Sequence, residues 1–492
     1  MTADNRQRYH FSWILFKLMS LIKGSFFIFL YLFILKAGST SPFWLTIKGV
    51  FIAAIIFSLV KIFLDWIYTR YEITAKTIIL YHGIFVKKQR NVAIKRIQNM
   101  HQTTNFLHRL LKQTSLTLET GTTGEDASVK FPVLTYKEAE RIKEIVEESK
   151  VHKAVLDNFP PEETEYIKET SLPLSARQVY FTAAKKDLIK AAFTSLSIFA
   201  IFPILFSLYY QIDDYFSLDS KSQPIFNYLL DHLWLLVPIF IVALLISGGI
   251  GFLTTYFRYG NFEISADDHR IYIQKGVFTE THFSIQKDKV QAIKFEQNIL
   301  KRVLGMVEVK LISAGNVGEE SAETNSLFPF LSVKDAGRIV EQLLPSYEIP
   351  ASMQALPRNV LWLRLLRPYY VWLIITAILF FFKREWIVLS AVLFTIIFIG
   401  RILDFYYTRY AINDRFVQIR KGAFSTETFL TKRVKIQEIE LTHGWLQRKF
   451  GVSSISFNNR GQPLHVSELQ DVPRETSSQF YGWYKKRAGS VK

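Results

Sequence analysis

The sequence contains no cysteine among its 492 residues. This absence excludes disulfide bonds, thiolate metal sites, cysteine nucleophiles and the cysteine-linked anchor of lipoproteins. A chain without cysteine is also compatible with domains that face the reducing cytoplasm. The fold must therefore be stabilised by packing, hydrogen bonds and ion pairs.

The common catalytic motifs are missing as well. There is no glycine-rich phosphate loop, no His-Glu-x-x-His zinc helix and no Gly-x-Ser-x-Gly nucleophile elbow. His101 and His108 are seven residues apart, a spacing of two helical turns that suits a shared metal ion poorly. We therefore predict a protein that is not an enzyme and that holds neither a cofactor nor a metal ion.

Long apolar segments, in contrast, are abundant. Hydrophobic residues make up 49% of the chain and aromatic residues 15%, with 42 Phe, 23 Tyr and 9 Trp, a composition that we interpret as too apolar and aromatic for three ordinary soluble domains. Six segments approach the roughly 20 residues that a bilayer-spanning helix needs. They occur in pairs: 13–35 with 43–64, 191–210 with 233–257, and 369–382 with 386–400. The third pair is short and spans the bilayer only if 361–366 and 401–407 extend its helices. The whole pattern predicts a multi-pass α-helical membrane protein with six helices in three hairpins.

Positive charge is distributed unevenly along these segments. Of the 60 Lys and Arg residues, only four lie in the turns of the hairpins: Lys36, Lys221, Lys383 and Arg384. By the positive-inside rule the turns face outwards, and both termini and all sequence between the hairpins face the cytoplasm. The same bias explains the formal net charge of +17, so we predict the phospholipid bilayer and no nucleic acid as a partner.

The sequence between and after the hairpins repeats three times. Each hairpin ends in a Tyr-x-Arg-Tyr pattern, and a glycine follows a short predicted strand. Fifteen residues after that glycine stands a glutamine preceded by a basic and a β-branched residue, and an arginine follows eleven residues later. The arginines of the first pattern are Arg70, Arg258 and Arg409; the glycines are Gly83, Gly276 and Gly422; the basic residues before glutamine are Arg96, Lys289 and Lys435; the last arginines are Arg109, Arg302 and Arg448. Identical spacing in three copies indicates triplication of one unit.

These motifs resemble the bacterial pleckstrin-homology-like (PH-like) domain of the second type, a membrane family formerly of unknown function. The resemblance covers nearly the whole chain. It implies three cytoplasmic α+β PH-like domains, each a bent antiparallel sheet with a closing helix, in a bacterial cell membrane. It also implies a neighbouring smaller relative with one hairpin and one domain, and links to envelope stress and bacteriocin resistance.

The predicted organisation alternates hairpins, domains and linkers. In chain order it is hairpin 1–67, domain 68–158, linker 159–190, hairpin 191–257, domain 258–345, linker 346–360, hairpin 361–406 and domain 407–492. Three features depart from the repeat. The second repeat inserts residues around Gly260 and Asn261. Lys112 stands where the other repeats have Gly305 and Gly451, and the third repeat, with Pro473 near its end, lacks a clear closing helix.

Nine basic residues of the repeat are candidate contacts to lipid or to a partner. They are Arg70, Arg258 and Arg409 at the hairpin ends, Arg96, Lys289 and Lys435 before the glutamines, and Arg109, Arg302 and Arg448 after them. Lipid phosphates of the inner leaflet would attract such cations. The alternatives are interfacial anchoring for the first three and solvated strand ends for the others. Asp404 is expected to form a local ion pair with Arg409.

Three functions are compatible with this sequence. The first is a membrane scaffold whose PH-like domains bind protein partners. An open sheet edge offers one route for such binding, and it needs no special side chains. The second is export or transport of an amphipathic peptide or a lipid through the hairpins. The third is sensing of membrane lipids by the basic residues.

Overall fold

The computed structural model describes residues 6–39, 41–84, 86–120, 128–158, 177–194, 234, 236–313, 326–349, 352–382, 384–460 and 465–486. The chain forms two compact units. The first unit comprises Met1–Ala176 with the short segment Phe278–Ser284, and the second comprises Arg177–Val277 with Ile285–Lys492.

The first unit joins a helical hairpin to two antiparallel sheets. Its elements are β1 (Gln7–Arg8), α1 (Ser12–Phe29, continued by a π-helix, Leu30–Leu35), α2 (Pro42–Tyr68), β2 (Arg70–Ile73), β3 (Thr77–His82), β4 (Lys88–Ala93), β5 (Ile97–Thr104), α3 (Phe106–Leu110), β6 (Gln113–Thr120), β7 (Ser128–Thr135) and α4 (Tyr136–Asn158). Strands β1 to β4 form one sheet in chain order. Strands β7, β6 and β5 form the other, and β5 pairs next with residues 280–284.

The second unit contains the remaining two repeats. Its elements are β8 (Gln178–Thr182), α5 (Lys185–Thr194), α6 (Leu236–Tyr259), β9 (Glu263–Ala266), β10 (Arg270–Lys275), β11 (Glu280–Gln286, which begins in the first unit), β12 (Val290–Gln297), α7 (Ile299–Val303), β13 (Met306–Ser313), β14 (Ser326–Ser332), α8 (Val333–Leu343), β15 (Gln354–Ala355), α9 (Asn359–Leu366), α10 (Tyr370–Phe382), α11 (Ile387–Tyr407), β16 (Arg409–Ile412), β17 (Phe416–Lys421), β18 (Thr426–Lys432), β19 (Ile436–Thr442), α12 (Trp445–Phe450), β20 (Val452–Asn459), β21 (His465–Pro473) and α13 (Arg474–Lys485). One sheet has the order β14-β13-β12-β18-β17-β16-β15, and the last sheet is β19-β20-β21.

A short strand before each hairpin closes the base of that hairpin. Strand β1 pairs with β2, β8 with β9, and β15 with β16, so the chain enters and leaves each hairpin through the same sheet. The structure differs here from the predicted organisation, because β8 and β15 lie within the segments 159–190 and 346–360 that were interpreted as linkers. These strands are largely exposed and carry no hydrophobic alternation that would reveal them.

The core of the first domain forms between its sheets and helix α4. Ala139, Ile142 and Val146 are spaced by three and four residues, so they share one face of α4, and all three are buried. Tyr9 and Trp13, at the start of the chain, are buried in the same cluster. The indole N–H of Trp66 donates to the Tyr9 carbonyl at 2.9 Å. The first hairpin is therefore anchored in the domain core.

The third repeat does have a closing helix, which corrects the expectation from its sequence. Helix α13 begins directly after Pro473 and buries Ser477 and Phe480 against the sheet. Proline is tolerated before a first helical turn because the N–H groups of that turn have no partner within the helix. Pro473 thus marks the start of the helix and does not prevent it.

Lys112 replaces glycine without changing the turn in which it lies. The short helices α3, α7 and α12 end at residues with left-handed backbone, and φ is 54° at Lys112, 64° at Gly305 and 68° at Gly451. Glycine adopts this conformation without strain, whereas a residue with a Cβ is strained in it. The first repeat therefore keeps the same chain reversal as the others at a small cost in stability.

Four helical segments of the described chain are long and apolar enough to cross a bilayer. They are Ser12–Ile34, Pro42–Tyr68, Asn359–Phe382 and Ile387–Tyr407. Helix α6 lies where the second helix of the middle pair was predicted, whereas most of 191–210 lies outside the described residues. The predicted extension 361–366 is a separate helix, α9, which breaks at Arg367 and Pro368 before α10.

Candidate functional site

The two junctions between successive repeats are built alike. In the first, β5 pairs antiparallel with β11, and Thr104 lies opposite Glu280 and Met100 opposite Ser284. In the second, β12 pairs antiparallel with β18, and Gln297 lies opposite Thr426. When the repeats are aligned on Gln98, Gln291 and Gln437, both junctions have the same register. The first and second repeats thus each offer to the next repeat the strand that begins at the β-branched residue of the triplet.

The arginine after each glutamine contacts the following repeat. The Arg302 guanidinium donates to the carbonyls of Ala423 and Phe424 at 3.3 to 3.4 Å and to Oγ1 of Thr426 at 3.2 Å. It also lies 4.1 Å from the ring centre of Tyr407, a cation–π arrangement. The residues that Arg302 contacts come directly after Gly422 in the chain, and the φ of 112° at Gly422 allows the turn between β17 and β18. Arg302 therefore links the second repeat to the third.

Arg109 has the equivalent place at the first junction. Its guanidinium pairs with the Glu280 carboxylate at 2.6 Å, with both side chains partly exposed to solvent, so the pair contributes less than about 1 kcal/mol. The third member of the set, Arg448, is exposed, and its side chain has no hydrogen-bond or ion-pair partner within the described residues. The predicted set therefore divides into two junction residues and one arginine that faces solvent.

A ladder of alternating charges crosses the second junction. Lys294 Nζ lies 3.0 Å from Glu427 and 2.8 Å from Glu296, and Lys310 Nζ lies 2.7 Å from Glu296. Burial alone would lower the pKa of Lys294, but its hydrogen bond to Glu296 and the charges of Glu296 and Glu427 outweigh burial and raise it. The ladder keeps its charges in a half-buried sheet and favours the observed register.

Two of the three basic residues before the glutamines lie close together. Lys435 Nζ donates to the Asp288 carbonyl at 2.8 Å, and burial followed by the charge of Lys289 lowers its pKa. Lys432 lies beside them, and its Nζ is 4.4 Å from the ring centre of Tyr347. We call Lys289, Lys432 and Lys435 the lysine cluster. An anion bound between these lysines would offset the repulsion between their positive charges. Arg96 belongs to the first unit, where it is exposed.

The arginines at the hairpin ends have different environments. Arg70 is half-buried at the start of β2, Arg258 is exposed at the end of α6, and Arg409 is exposed at the start of β16. The expected pair of Asp404 with Arg409 is wrong, since Asp404 lies 2.7 Å from Arg364. Arg364 comes from α9, forty residues earlier, and local spacing gave no signal for this pair.

A buried ion network holds the third hairpin on its domain. The Asp471 carboxylate is fully buried and accepts from Arg364 at 3.3 Å, from Arg367 at 2.6 Å and from the Gln447 amide at 2.8 Å. Arg364 also donates to Thr408 Oγ1 at 3.1 Å. Helix α9 and the ends of α11 and β21 therefore meet through one set of charge-assisted hydrogen bonds.

Arg401 completes the base of this hairpin. Its guanidinium donates to the carbonyls of Arg364 at 3.0 Å and Pro368 at 2.9 Å, and lies 3.7 Å from the ring centre of Tyr369. The last carbonyls of a helix lack partners within it and attract cations. Arg401 thus satisfies the end of α9 at the break before α10.

A pH-dependent stability is expected for the first domain. Burial raises the pKa of Glu119 to about 7, although a hydrogen bond from Asn99 at 3.0 Å and the charge of Lys130 lower it. An unfolded glutamate titrates near pH ~4.3. The contribution of Glu119 to the stability of the domain is therefore fully present below that pH and is lost as pH rises to 7. The free energy of unfolding should fall by about 3 kcal/mol over this range. Hydrogen exchange of β6 across this range, measured for the parent, Glu119→Gln and the exposed control Glu140→Gln, checks this expectation.

The parent and Glu140→Gln should both exchange faster in β6 as pH rises, after correction for intrinsic exchange. Glu119→Gln should lose that dependence, because an amide does not titrate. An unchanged slope in Glu119→Gln would contradict the assignment to this carboxyl.

His108 has a structural role in the first domain. His108 Nδ1 lies 2.6 Å from Asn105 Oδ1, and its Nε2 lies 3.1 Å from the Pro132 carbonyl. Burial lowers the pKa of His108. Within the described residues, no group of three His, Asp or Glu side chains is placed to hold a metal ion.

A fold of repeated antiparallel sheets with closing helices, joined to apolar hairpins, defines a class of membrane proteins with PH-like repeats. The chain belongs to the bacterial PH domain family, whose model matches residues 26–150, 223–346 and 364–488. It is 27% identical over 473 residues to the UPF0699 transmembrane protein YdbT of Bacillus subtilis (strain 168), covering 94% of each chain. No solved structure matches it. The predicted family is thereby confirmed, and the chain is a membrane protein with three copies of the domain.

Proposed function

We propose that the protein is a non-enzymatic membrane scaffold whose three PH-like domains lie on the cytoplasmic face and bind protein partners. Three hairpins cross the bilayer twice each, which keeps both termini in the cytoplasm. The scarcity of basic residues in the hairpin turns supports this orientation. The four apolar helical segments of the described chain support the crossings.

The observation that carries the proposal is the way in which the repeats bind each other. In both junctions the edge of one sheet pairs with the edge of the next, in the same register and with an arginine at the same position. A module that binds its neighbour through backbone hydrogen bonds can bind a similar module in another chain. The resemblance to the family adds a smaller relative with one domain as a partner, and a role in envelope stress or bacteriocin resistance.

Affinity purification from native membranes in mild detergent, followed by mass spectrometry, tests this function. A scaffold should retain a stable protein partner or associate with itself. A partner should also remain bound when the complex is transferred into nanodiscs. Recovery of the chain alone, in monomeric form, would contradict the proposal.

Binding of anionic lipid is a second candidate, favoured by the lysine cluster. Burial lowers the pKa of Lys432 and of Lys435, and the charge of a neighbouring lysine lowers each pKa further. Anionic lipid attracts such cations by about 1 kcal/mol per residue. Flotation with anionic vesicles should weaken when Arg96, Lys289 and Lys435 are all changed to Ala. Unchanged flotation of this triple variant would remove the candidate.

A further inference from the structure

Within the described residues, the series of junctions leaves one strand at each end without a neighbouring strand on its outer side. Strand β4 is the last strand of the sheet β1-β2-β3-β4, and β19 is the first strand of the sheet β19-β20-β21. In the repeat alignment β4 is equivalent to β11 and β18, and β19 is equivalent to β5 and β12. The two open edges are thus the two halves of one more junction.

Exposure distinguishes these edges from their paired equivalents. Strands β5, β11, β12 and β18 contain no exposed residue. Four of the seven residues of β19 are exposed: Gln437, Glu438, Glu440 and Thr442. In β4 the exposed residues are Lys88, Gln89 and Asn91. The side chains that a neighbouring repeat covers elsewhere therefore face solvent at both ends of the chain.

The charges on the two open edges are complementary. At the second junction Lys294 pairs with Glu427 at 3.0 Å. The equivalent positions are Glu440 on β19 and Lys88 on β4, so the same ion pair would form with its signs reversed. Both side chains are exposed. Charge on an edge strand discourages pairing with unrelated strands, whereas a strand of opposite charge in the matching register is not discouraged.

We propose that β19 of one chain pairs antiparallel with β4 of a second copy of this chain, in the register of the two internal junctions. Leu441 then lies opposite Gln89, as Phe295 lies opposite Thr428, and Arg448 reaches the turn after Gly83 as Arg302 reaches the turn after Gly422. This assignment rests on the proposed scaffold function and specifies its contact. Because two different surfaces meet, the assembly extends or closes into a ring.

Cysteine cross-linking tests the pairing without background, because the chain has no cysteine. A chain with Leu441→Cys and a differently tagged chain with Gln89→Cys are co-expressed and oxidised in native membranes. We expect a disulfide-linked product that carries both tags, at a yield about tenfold above the control. The control replaces Leu441→Cys by Val466→Cys, an exposed site on β21 at the other edge of the same sheet.

A second pair guards against a folding defect at the partly buried Leu441. Thr442→Cys with Lys88→Cys joins two exposed positions that lie opposite each other in the same register, as Glu296 and Glu427 do. Failure of both pairs, equal yield from the Val466→Cys control, or a cross-link from Cys at 441 to a different protein would each overturn the assignment.

Charge reversal tests the register itself. Glu440→Lys should lower the yield of the Leu441→Cys and Gln89→Cys product about tenfold, because two lysines would then face each other. Adding Lys88→Glu in the second chain should restore the yield. An unchanged yield with Glu440→Lys would overturn the register. If no product forms but the chain still co-purifies with a stable partner, the scaffold function stands and only the edge assignment falls; loss of both results removes both.

Discussion

Replacement of Arg364 by alanine is expected to destabilise the third domain by about 3–5 kcal/mol. The substitution leaves the fully buried Asp471 carboxylate with only Arg367 and Gln447 as partners, and it also removes the ion pair of Asp404. A buried charge that loses one of its counter-ions keeps its desolvation cost with less to offset it. Hydrogen exchange of strand β20 in detergent should accelerate by about 100-fold or more.

The matched control is Arg358→Ala, which removes an exposed arginine immediately before the same helix. Its effect should stay within about 0.5 kcal/mol. The double variant Arg364→Ala with Asp471→Asn should be more stable than Arg364→Ala alone, because it removes a buried charge that has lost one of its two arginine partners. Equal exchange rates for Arg364→Ala and Arg358→Ala would contradict the network described for this hairpin.

Gly422→Ala should have a comparably large effect on the hairpin of β17 and β18. Gly422 has φ of 112°, and a Cβ at this position would overlap the Ser425 carbonyl oxygen. The turn must then open, which also disturbs the hydrogen bond from the Gly422 N–H to Asp404. We expect a loss of about 3 kcal/mol or more, the sum of backbone strain and overlap.

Gly451→Ala provides the comparison for this prediction. Gly451 also has a positive φ, of 68°, but no atom lies within 4 Å of a Cβ built there. Only the left-handed backbone opposes alanine, at about 1 kcal/mol. Thermal unfolding of both variants in nanodiscs should therefore separate them clearly. Similar melting temperatures for Gly422→Ala and Gly451→Ala would contradict the overlap.

The repeat was predictable because its constraints are local. Gly83, Gly276 and Gly422 recur at one spacing, and their φ angles of 111°, 100° and 112° are the reason that glycine is needed at each. Residues 307–312 alternate apolar and polar side chains, a pattern typical of a strand, and they lie in β13. The charged and apolar residues of 137–149 have a helical pattern, and they lie in α4. Such elements depend on turns and periodicity that a single stretch of sequence carries.

The junctions were not predictable from the same sequence. Backbone hydrogen bonds between β12 and β18 can form with many side chains, so the pairing leaves little trace in the residues. Arg302 was predicted as a candidate contact to lipid or to a partner. In the structure it contacts Ala423, Phe424 and Thr426 of the next repeat. Its role as a lipid contact stays a prediction.

The ion network of the third hairpin was missed for a different reason. Arg364 and Arg401 interrupt a weak apolar pair, and sequence reasoning treats such residues as flanks of a membrane helix. In the structure they join α9 to Asp404, Asp471 and the carbonyls that end α9. These partners lie 33 to 107 residues away along the chain, beyond any local pattern.

The most direct measurement of the central claim is the sidedness of the three domains. Single cysteines at Ala75, Asp268 and Asp414 occupy exposed, equivalent turns of the three repeats, and a cysteine at Ala37 marks the turn of the first hairpin. A maleimide that cannot cross membranes should label the first three only after the cells are permeabilised, and should label position 37 in intact cells. Labelling of any one of the three domain positions in intact cells would contradict an arrangement in which all PH-like domains face the cytoplasm.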